Sequence, residues 1–254
     1  MLLKAATPDK TVIITTLNQA WAANNTMIDV FLDSFHRGEG TEPLLNHLVI
    51  VALDQISYDR CKQLHHHCFI LITEGVDFAG SKQFMSKDFL KMMWRRMNLL
   101  TRILELGYNF VFTDADIIWF RNPFNQFAKD MDFQISCDRF KGPVAESNKP
   151  NCGYQYTRSN KRTIAMYQQW CKGGEDNPNI DEQSLLNVML KRKDLAKFGV
   201  KFRYLDTDQF SGFCQVQLYL ISYILICILL ELVSELRIGF GAKSTFVDSN
   251  FPIC

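Results

Sequence analysis

The sequence predicts an α/β fold with a mostly parallel central sheet and helices on both faces. Strand-like apolar runs alternate with amphipathic helical stretches along most of the chain. Several runs are continuously apolar and rich in β-branched residues, as parallel strands covered on both faces should be. Helix start and stop residues stand between them at the expected places. The first strand is Thr11–Leu17 (TVIITTL). Residues 24–37 place Met27, Val30, Phe31 and Phe35 at helical spacing, and Gly38 follows as a stop. Residues 47–53 (HLVIVAL) form a second strand ending at Asp54, Ser57 caps a short helix to about His65, and 68–73 (CFILIT) is a third strand. A long helix spans 86–106, with Ser86 as N-cap and Gly107 just past its end. A strand then runs into Asp114, and shorter strands follow at 132–137 and 153–157. Helices at 160–171 and 181–193 and a strand at 200–205 complete the alternation, with no internal repeat.

Composition narrows the function classes. The chain has 254 residues, enough for one large α/β domain or two small ones. Lys+Arg is 28 against Asp+Glu 27, and no basic block interleaved with aromatics marks a nucleic-acid surface, so no nucleic-acid partner is expected. Twenty phenylalanines and 47% apolar residues mark a folded globule. The eight cysteines contain no C-x-x-C, which argues against a zinc ribbon and a thioredoxin motif. Their even number permits disulfides in an oxidising compartment without demanding them. With only Leu2 and Leu3 before Lys4, neither a signal peptide nor a membrane anchor is expected at the start. No G-x-G-x-x-G and no G-x-x-x-x-G-K-[ST] is present, so a bound nucleotide would have to be held by a metal and basic side chains.

Residues 108–124, YNFVFTDADIIWFRNPF, carry the main chemical signal. Asp114 and Asp116 lie between two apolar runs, where an unpaired carboxylate is costly and a second one adds repulsion. On an extended strand both would share one face. The local sequence offers only Arg121 as a cation, so a divalent metal is the simpler partner. The plainer alternative is one aspartate capping a turn and the other in a salt bridge. Position favours the metal, because ligands of open α/β sheets bind beyond the carboxyl ends of strands where strand order reverses.

Other candidates are weaker. Lys91 and Arg95 are four apart on the long helix and would suit a diphosphate, or form an ordinary solvated face. Asp181 and Gln183 stand at a helix start and can face a substrate sugar, although capping alone would explain Asp181. The tract His65–His66–His67 reads as a helix end with histidines near its C-terminal dipole. Residues 148–160 (NKPNCGYQYTRSN) read as an acceptor loop or as a turn into a strand.

Six segments, FTDADIIWFRNPF, FMSKDFLKMMWRR, NTMIDVFLDSF, HLVIVALDQISYDRC, FQISCDRF and FRYLDTDQFSGFCQ, resemble the plant nucleotide-diphospho-sugar transferase family. That group includes the rhamnogalacturonan xylosyltransferases and the arabinosyltransferases of the cell wall. The similarity runs colinearly over about residues 4–215, making 1–215 one domain. The resemblance implies a GT-A type fold, a UDP-sugar donor, and Mn²⁺ or Mg²⁺ bound through the D-x-D. It also implies a Golgi lumenal enzyme with a glycan or glycoprotein acceptor. Under it, Asp116 binds the metal and Asp114 binds the metal shell and ribose. Thr15 and Thr16 floor the uridine site, and Asp181 and Gln183 face the donor sugar and acceptor. Lys91 or Arg95 would steady the departing diphosphate.

Two departures stand out. Cys152 occupies a position where the family usually has glycine, and the family's histidine-bearing C-terminal segment is replaced after Gln215. By analogy that histidine would supply a third metal ligand, so a non-catalytic relative is the alternative reading. Residues 216–254 are atypical. Within them 216–233 is apolar except for Gln217, Ser222 and Glu231, about 27 Å as a helix and near the minimum for a membrane span. Membrane association through this stretch and a splice-derived segment are both open readings.

Overall fold

The structure is a computed structural model that describes residues 1–73, 75–76 and 78–211. In chain order the first elements are α1 (Leu2–Ala5), β1 (Thr11–Leu17), α2 (Gln19–Ala22), α3 (Met27–Arg37), β2 (Leu48–Ala52), α4 (Gln55–Leu64) and β3 (Cys68–Ile70). Next come α5 (Lys87–Glu105), β4 (Asn109–Thr113), β5 (Phe133–Arg139) and β6 (Lys149–Thr157). The last are α6 (Lys161–Asp176), α7 (Glu182–Lys191), α8 (Asp194–Lys197) and β7 (Phe202–Tyr204).

Among the described residues seven strands form one sheet in the order β3-β2-β1-β4-β6-β5-β7. The pairs β1–β2, β1–β4, β2–β3 and β5–β7 are parallel, whereas β6 runs antiparallel between β4 and β5. The predicted α/β fold with a mostly parallel sheet is the one observed. Alternation along β1 explains its two-sided core. Val12 and Ile14 join Phe110 and Phe112 under α5, α6 and α7, while Ile13 and Leu17 join Val111 under α3 and α4. All of these side chains are at most 1% exposed, each contributing about 1.5–3 kcal/mol of burial.

The element ends differ from expectation for local reasons. The helix expected from residue 24 begins at Met27, because Asn25 takes a left-handed φ of 57° and its amide bonds the Asp29 carboxylate. Asp54, not Ser57, caps α4; Ser57 is the third residue of a reciprocal capping box. His65 ends that helix in extended conformation and bonds the Leu48 carbonyl through Nε2 at 2.7 Å. Burial pushes its pKa down, so it is not a dipole-stabilised cation. The third strand stops at Ile70, and the last covers only Phe202–Tyr204. Residues 149–152, read as part of a turn or loop, are paired strand, with an irregular register opposite Ser136. The helix expected to end near Cys171 continues to Asp176 through Gly173 and Gly174. A Cβ at Gly174 would stand 2.4 Å from the Trp94 ring, so glycine here permits close packing of α6 on α5.

One disulfide, Cys61–Cys68, ties the end of α4 to the edge strand β3. The apolar stretch 216–233 lies outside the described residues. Among the described residues no helix is long and apolar enough to cross a membrane.

Candidate functional site

β4 ends at Thr113 and the chain turns at once, the Ile117 amide donating to the Asp114 carbonyl at 3.2 Å. The two aspartates therefore lie on a turn, not on one face of an extended strand. Ala115 between them is buried at 2% and anchors the turn, and Asp116 is exposed. The chain steps outward from β1 to β2 and β3, then returns to place β4 on the other side of β1. The acidic turn thus sits at the carboxyl end of β4, where strand order reverses.

Asp114 is fixed from several sides. Its amide donates to the Gly153 carbonyl at 2.7 Å. Its Oδ1 accepts from Arg96 Nη1 at 2.9 Å. Its Oδ2 lies 2.8 Å from where a Cβ on Gly153 would stand, so only glycine at 153 leaves this space. Gly153 is itself held by Asn151, whose Oδ1 accepts the Gly153 amide at 2.9 Å and whose Nδ2 donates to Asp138 at 2.8 Å.

The cation beside Asp114 is Arg96, distant from the strand in sequence. It comes from α5, is 5% exposed, and lies with its guanidinium carbon 4.7 Å from the centre of the Phe112 ring. Its Nη2 donates to Glu182 Oε1 at 2.6 Å, and Glu182, first residue of α7, is also 5% exposed. Arg121, the cation expected nearby, instead donates to Gln209 Oε1 at 3.1 Å. Two tryptophans fix the start of α7: Trp170 Nε1 donates to the Glu182 carbonyl at 2.9 Å, and Trp94 Nε1 to the Ile180 carbonyl at 3.0 Å.

The other predicted residues fall in several places. Gln183 reaches the strand beside Asp114, its Oε1 accepting the Cys152 amide at 3.0 Å. Asp181 caps α7, its two oxygens accepting from the amide and hydroxyl of Ser184 at 2.7 Å each. Thr15 and Thr16 close β1; continuing the Ile14–Phe112 register puts Thr16 level with Asp114. The Thr15 hydroxyl is buried without a partner. Lys91 is 57% exposed and lies 3.7 Å from Asp88. Arg95 is half-buried, with its Nε lacking a partner. Neither Lys91 nor Arg95 contacts the aspartates.

Charge is unbalanced here. Desolvation pushes the Asp114 carboxyl up to about 6, against the attraction of Arg96 and with the repulsion of Asp116. Burial by surrounding protein also raises Asp116, although its outer surface is open to solvent, and burial raises Glu182. Burial opposes the charge of Arg96, yet Asp114 and Glu182 together hold its pKa above the ordinary. Asp114 and Glu182 thus share one guanidinium with Asp116 beside them, and each of the three ionises less readily than in water. Hard oxygen donors in such a deficit fit a Mg²⁺- or Mn²⁺-like cation, which Asp114 and Asp116 could hold. Among the described residues no group of three or more His, Cys, Asp or Glu is arranged as a metal site, so phosphate and water would supply other positions.

An acidic turn, braced by a buried arginine, lies at the switch point of a mostly parallel sheet, where open α/β proteins bind their ligands. Sequence comparison makes this specific. A profile of the nucleotide-diphospho-sugar transferase family matches residues 43–222, and the chain belongs to that family. It is similar to an uncharacterised Arabidopsis thaliana protein, 46% identical over 217 residues that cover 85% of this chain and 57% of the relative. It is also similar to a UDP-D-xylose:L-fucose α-1,3-D-xylosyltransferase of Arabidopsis thaliana, 31% identical over 77 residues covering 30% of this chain and 21% of that enzyme. The apo-form glycosyltransferase GlyE of Streptococcus pneumoniae overlays with a TM-score of 0.45 at 15% identity, covering 89% of this chain and 51% of that one. The chain therefore spans a little over half the length of the first of these relatives.

Proposed function

We propose that this chain is the nucleotide-binding part of a metal-dependent glycosyltransferase that moves a sugar from a UDP-sugar to a glycan or glycoprotein acceptor. The observation that carries the reading is the Asp114–Asp116 turn at the reversal of strand order, with Asp114 held by buried Arg96. Mn²⁺ or Mg²⁺ bound there would neutralise the diphosphate that departs as the sugar leaves. The chain's own residues divide the remaining work. Arg96 orients Asp114, and Gly153 keeps the space around its outer oxygen clear. Thr15 and Thr16 border the uridine end, Lys91 and Arg95 meet the diphosphate from α5, and Asp181 and Gln183 stand on the sugar side. A pentose donor, xylose or arabinose, fits the activity named for the xylosyltransferase relative and the resemblance to cell-wall enzymes. The Cys61–Cys68 disulfide supports an oxidising compartment such as the Golgi lumen.

A second reading, a relative that binds nucleotide without transfer, is favoured by the two carboxylates filling only about two of the six positions such an ion takes. Donor hydrolysis decides between them. Purified protein with Mn²⁺ is incubated with UDP-xylose, UDP-arabinose and UDP-galactose, with and without fucosyl and pentosyl acceptors, and released UDP is measured. The proposal expects metal-dependent UDP release with a pentose donor. Binding of UDP without release from any donor supports the second reading, and no binding overturns both.

A further inference from the structure

The Arg96 fork is costly and incomplete. Arg96 Nε and Glu182 Oε2 are both buried without partners. Each such atom forfeits its hydration for nothing in return. The buried network around Asp132 is a useful contrast: its carboxylate accepts from Arg162 Nε and Nη2, Asn160 Nδ2 and the Lys201 amide. Stability accounts for that network, whereas well-packed apolar residues commonly match or exceed a buried ion pair like Arg96–Glu182.

The position of Arg96 also creates an electrostatic problem. A guanidinium bonded to one oxygen of a metal ligand repels a divalent ion bound through the other. Arg96 spans two carboxylates, Asp114 at 2.9 Å and Glu182 at 2.6 Å, and the shorter bond goes to the acid farther from the turn. Resting on the metal-dependent reading above, we propose that Glu182 is a positioning residue that balances the charge of Arg96, so that Arg96 can fix Asp114 without repelling a divalent cation at Asp114 and Asp116. Arg96, Asp114, Asp116 and Glu182 then sum to the charge that a divalent ion neutralises. Neutralising Glu182 leaves the arginine's charge directed at the ion.

This assigns opposite outcomes to single and double variants. Glu182→Gln keeps shape and hydrogen-bonding capacity but leaves Arg96 unbalanced, and Mn²⁺ affinity should fall by about tenfold or more. Arg96→Gln/Glu182→Gln restores the cluster's net charge but gives up the grip on Asp114, so Mn²⁺ affinity should recover by about threefold or more over Glu182→Gln without reaching wild type. A merely structural bridge predicts the reverse, with the double variant as weak as the single or weaker. Mn²⁺ binding is read by electron paramagnetic resonance and UDP binding by calorimetry with and without Mn²⁺, with melting temperature confirming that each variant is folded. If wild type binds Mn²⁺ and Glu182→Gln matches it, the charge-balancing role falls while the metal-dependent function stands. Failure of the double variant to recover also overturns the role. If wild type itself binds no Mn²⁺, the metal-dependent reading and this one fall together.

Discussion

Gly153→Ala is the smallest change that reaches Asp114. The added Cβ would stand 2.8 Å from Asp114 Oδ2 and 3.0 Å from Asn151 Oδ1, both closer than ordinary contact. Neither side chain swings away freely. Asp114 is bound to Arg96 through Oδ1 at 2.9 Å and to Gly153 through its own amide at 2.7 Å. Asn151 is bound to Asp138 at 2.8 Å. Relief of the clash therefore costs the Asp114–Arg96 hydrogen bond or shifts the backbone of β6, about 1–3 kcal/mol in either case. The melting temperature should fall by roughly 2–12 °C for a domain of this size. UDP affinity in Mn²⁺ should fall by about tenfold as Asp114 moves, a larger loss than for uridine, which lacks the diphosphate a metal would hold. Scanning calorimetry and paired titrations with UDP and uridine provide the test. A Gly153→Ala protein with wild-type melting and unchanged metal-dependent UDP binding would refute the placement of Asp114 against Gly153.

Three further outcomes follow from the same structure. Replacing both Cys61 and Cys68 with alanine opens a loop whose ends are 7 residues apart, and the chain-entropy estimate gives a loss of about 2.5 kcal/mol; an unchanged melting temperature would show that the bridge does not form in solution. Asp132→Asn removes the anion that Arg162 grips with two nitrogens; with that arginine half-exposed the loss should be about 1–2 kcal/mol, seen as a lower urea midpoint. Arg162 holds the Asp132 carboxyl below its usual range in spite of burial, so this contribution is present at neutral pH and lost as pH falls through the lowered pKa. Asp114 works in the opposite direction. With its carboxyl raised to about 6, it favours the fold below the unfolded pKa, and that contribution disappears as pH rises through about 6. Because its side chain is 35% exposed, screening discounts the effect to about 1 kcal/mol. The stability of wild type relative to Asp114→Asn should therefore decline from about pH 3.5 to about pH 6.5, and a rising difference would contradict the desolvated placement.

Much of this arrangement is legible in the residues. The continuous runs of β1 and β4 fix two central strands, because only a doubly covered strand is apolar at every position. Ser86 and Gly107 mark the ends of α5: the serine hydroxyl accepts the Phe89 amide, and Gly107 takes a φ of 83°. The D-x-D marks the end of β4, and a turn and a salt bridge, as in the plainer alternative, are both present; that Ala115 anchors the turn is not legible, because its core partners are distant in sequence. Arg96 and Glu182 are harder to read, because Arg96 follows the exposed-face cations of α5 and Glu182 stands beside the capping Asp181. Each nevertheless interrupts an apolar stripe. Arg96 lies at helical spacing with Met93, Met97 and Leu100, and Glu182 with Leu185, Leu186 and Met189. A charge within such a stripe is a readable signal that a buried partner awaits it. The identity of that partner, 86 residues away, was not readable, because pairing between helices is set by the whole sheet.

The most direct measurement is calorimetric titration of UDP into wild type and Asp116→Ala, each with Mn²⁺ and with EDTA. Asp116 is exposed and lies outside the Arg96 fork, so its loss should leave the melting temperature within about 1 °C. Wild type should bind UDP at least about tenfold more tightly with the ion than without it, and Asp116→Ala should show no such difference. Equal UDP affinity of wild type in Mn²⁺ and EDTA would contradict a metal-held nucleotide at this turn.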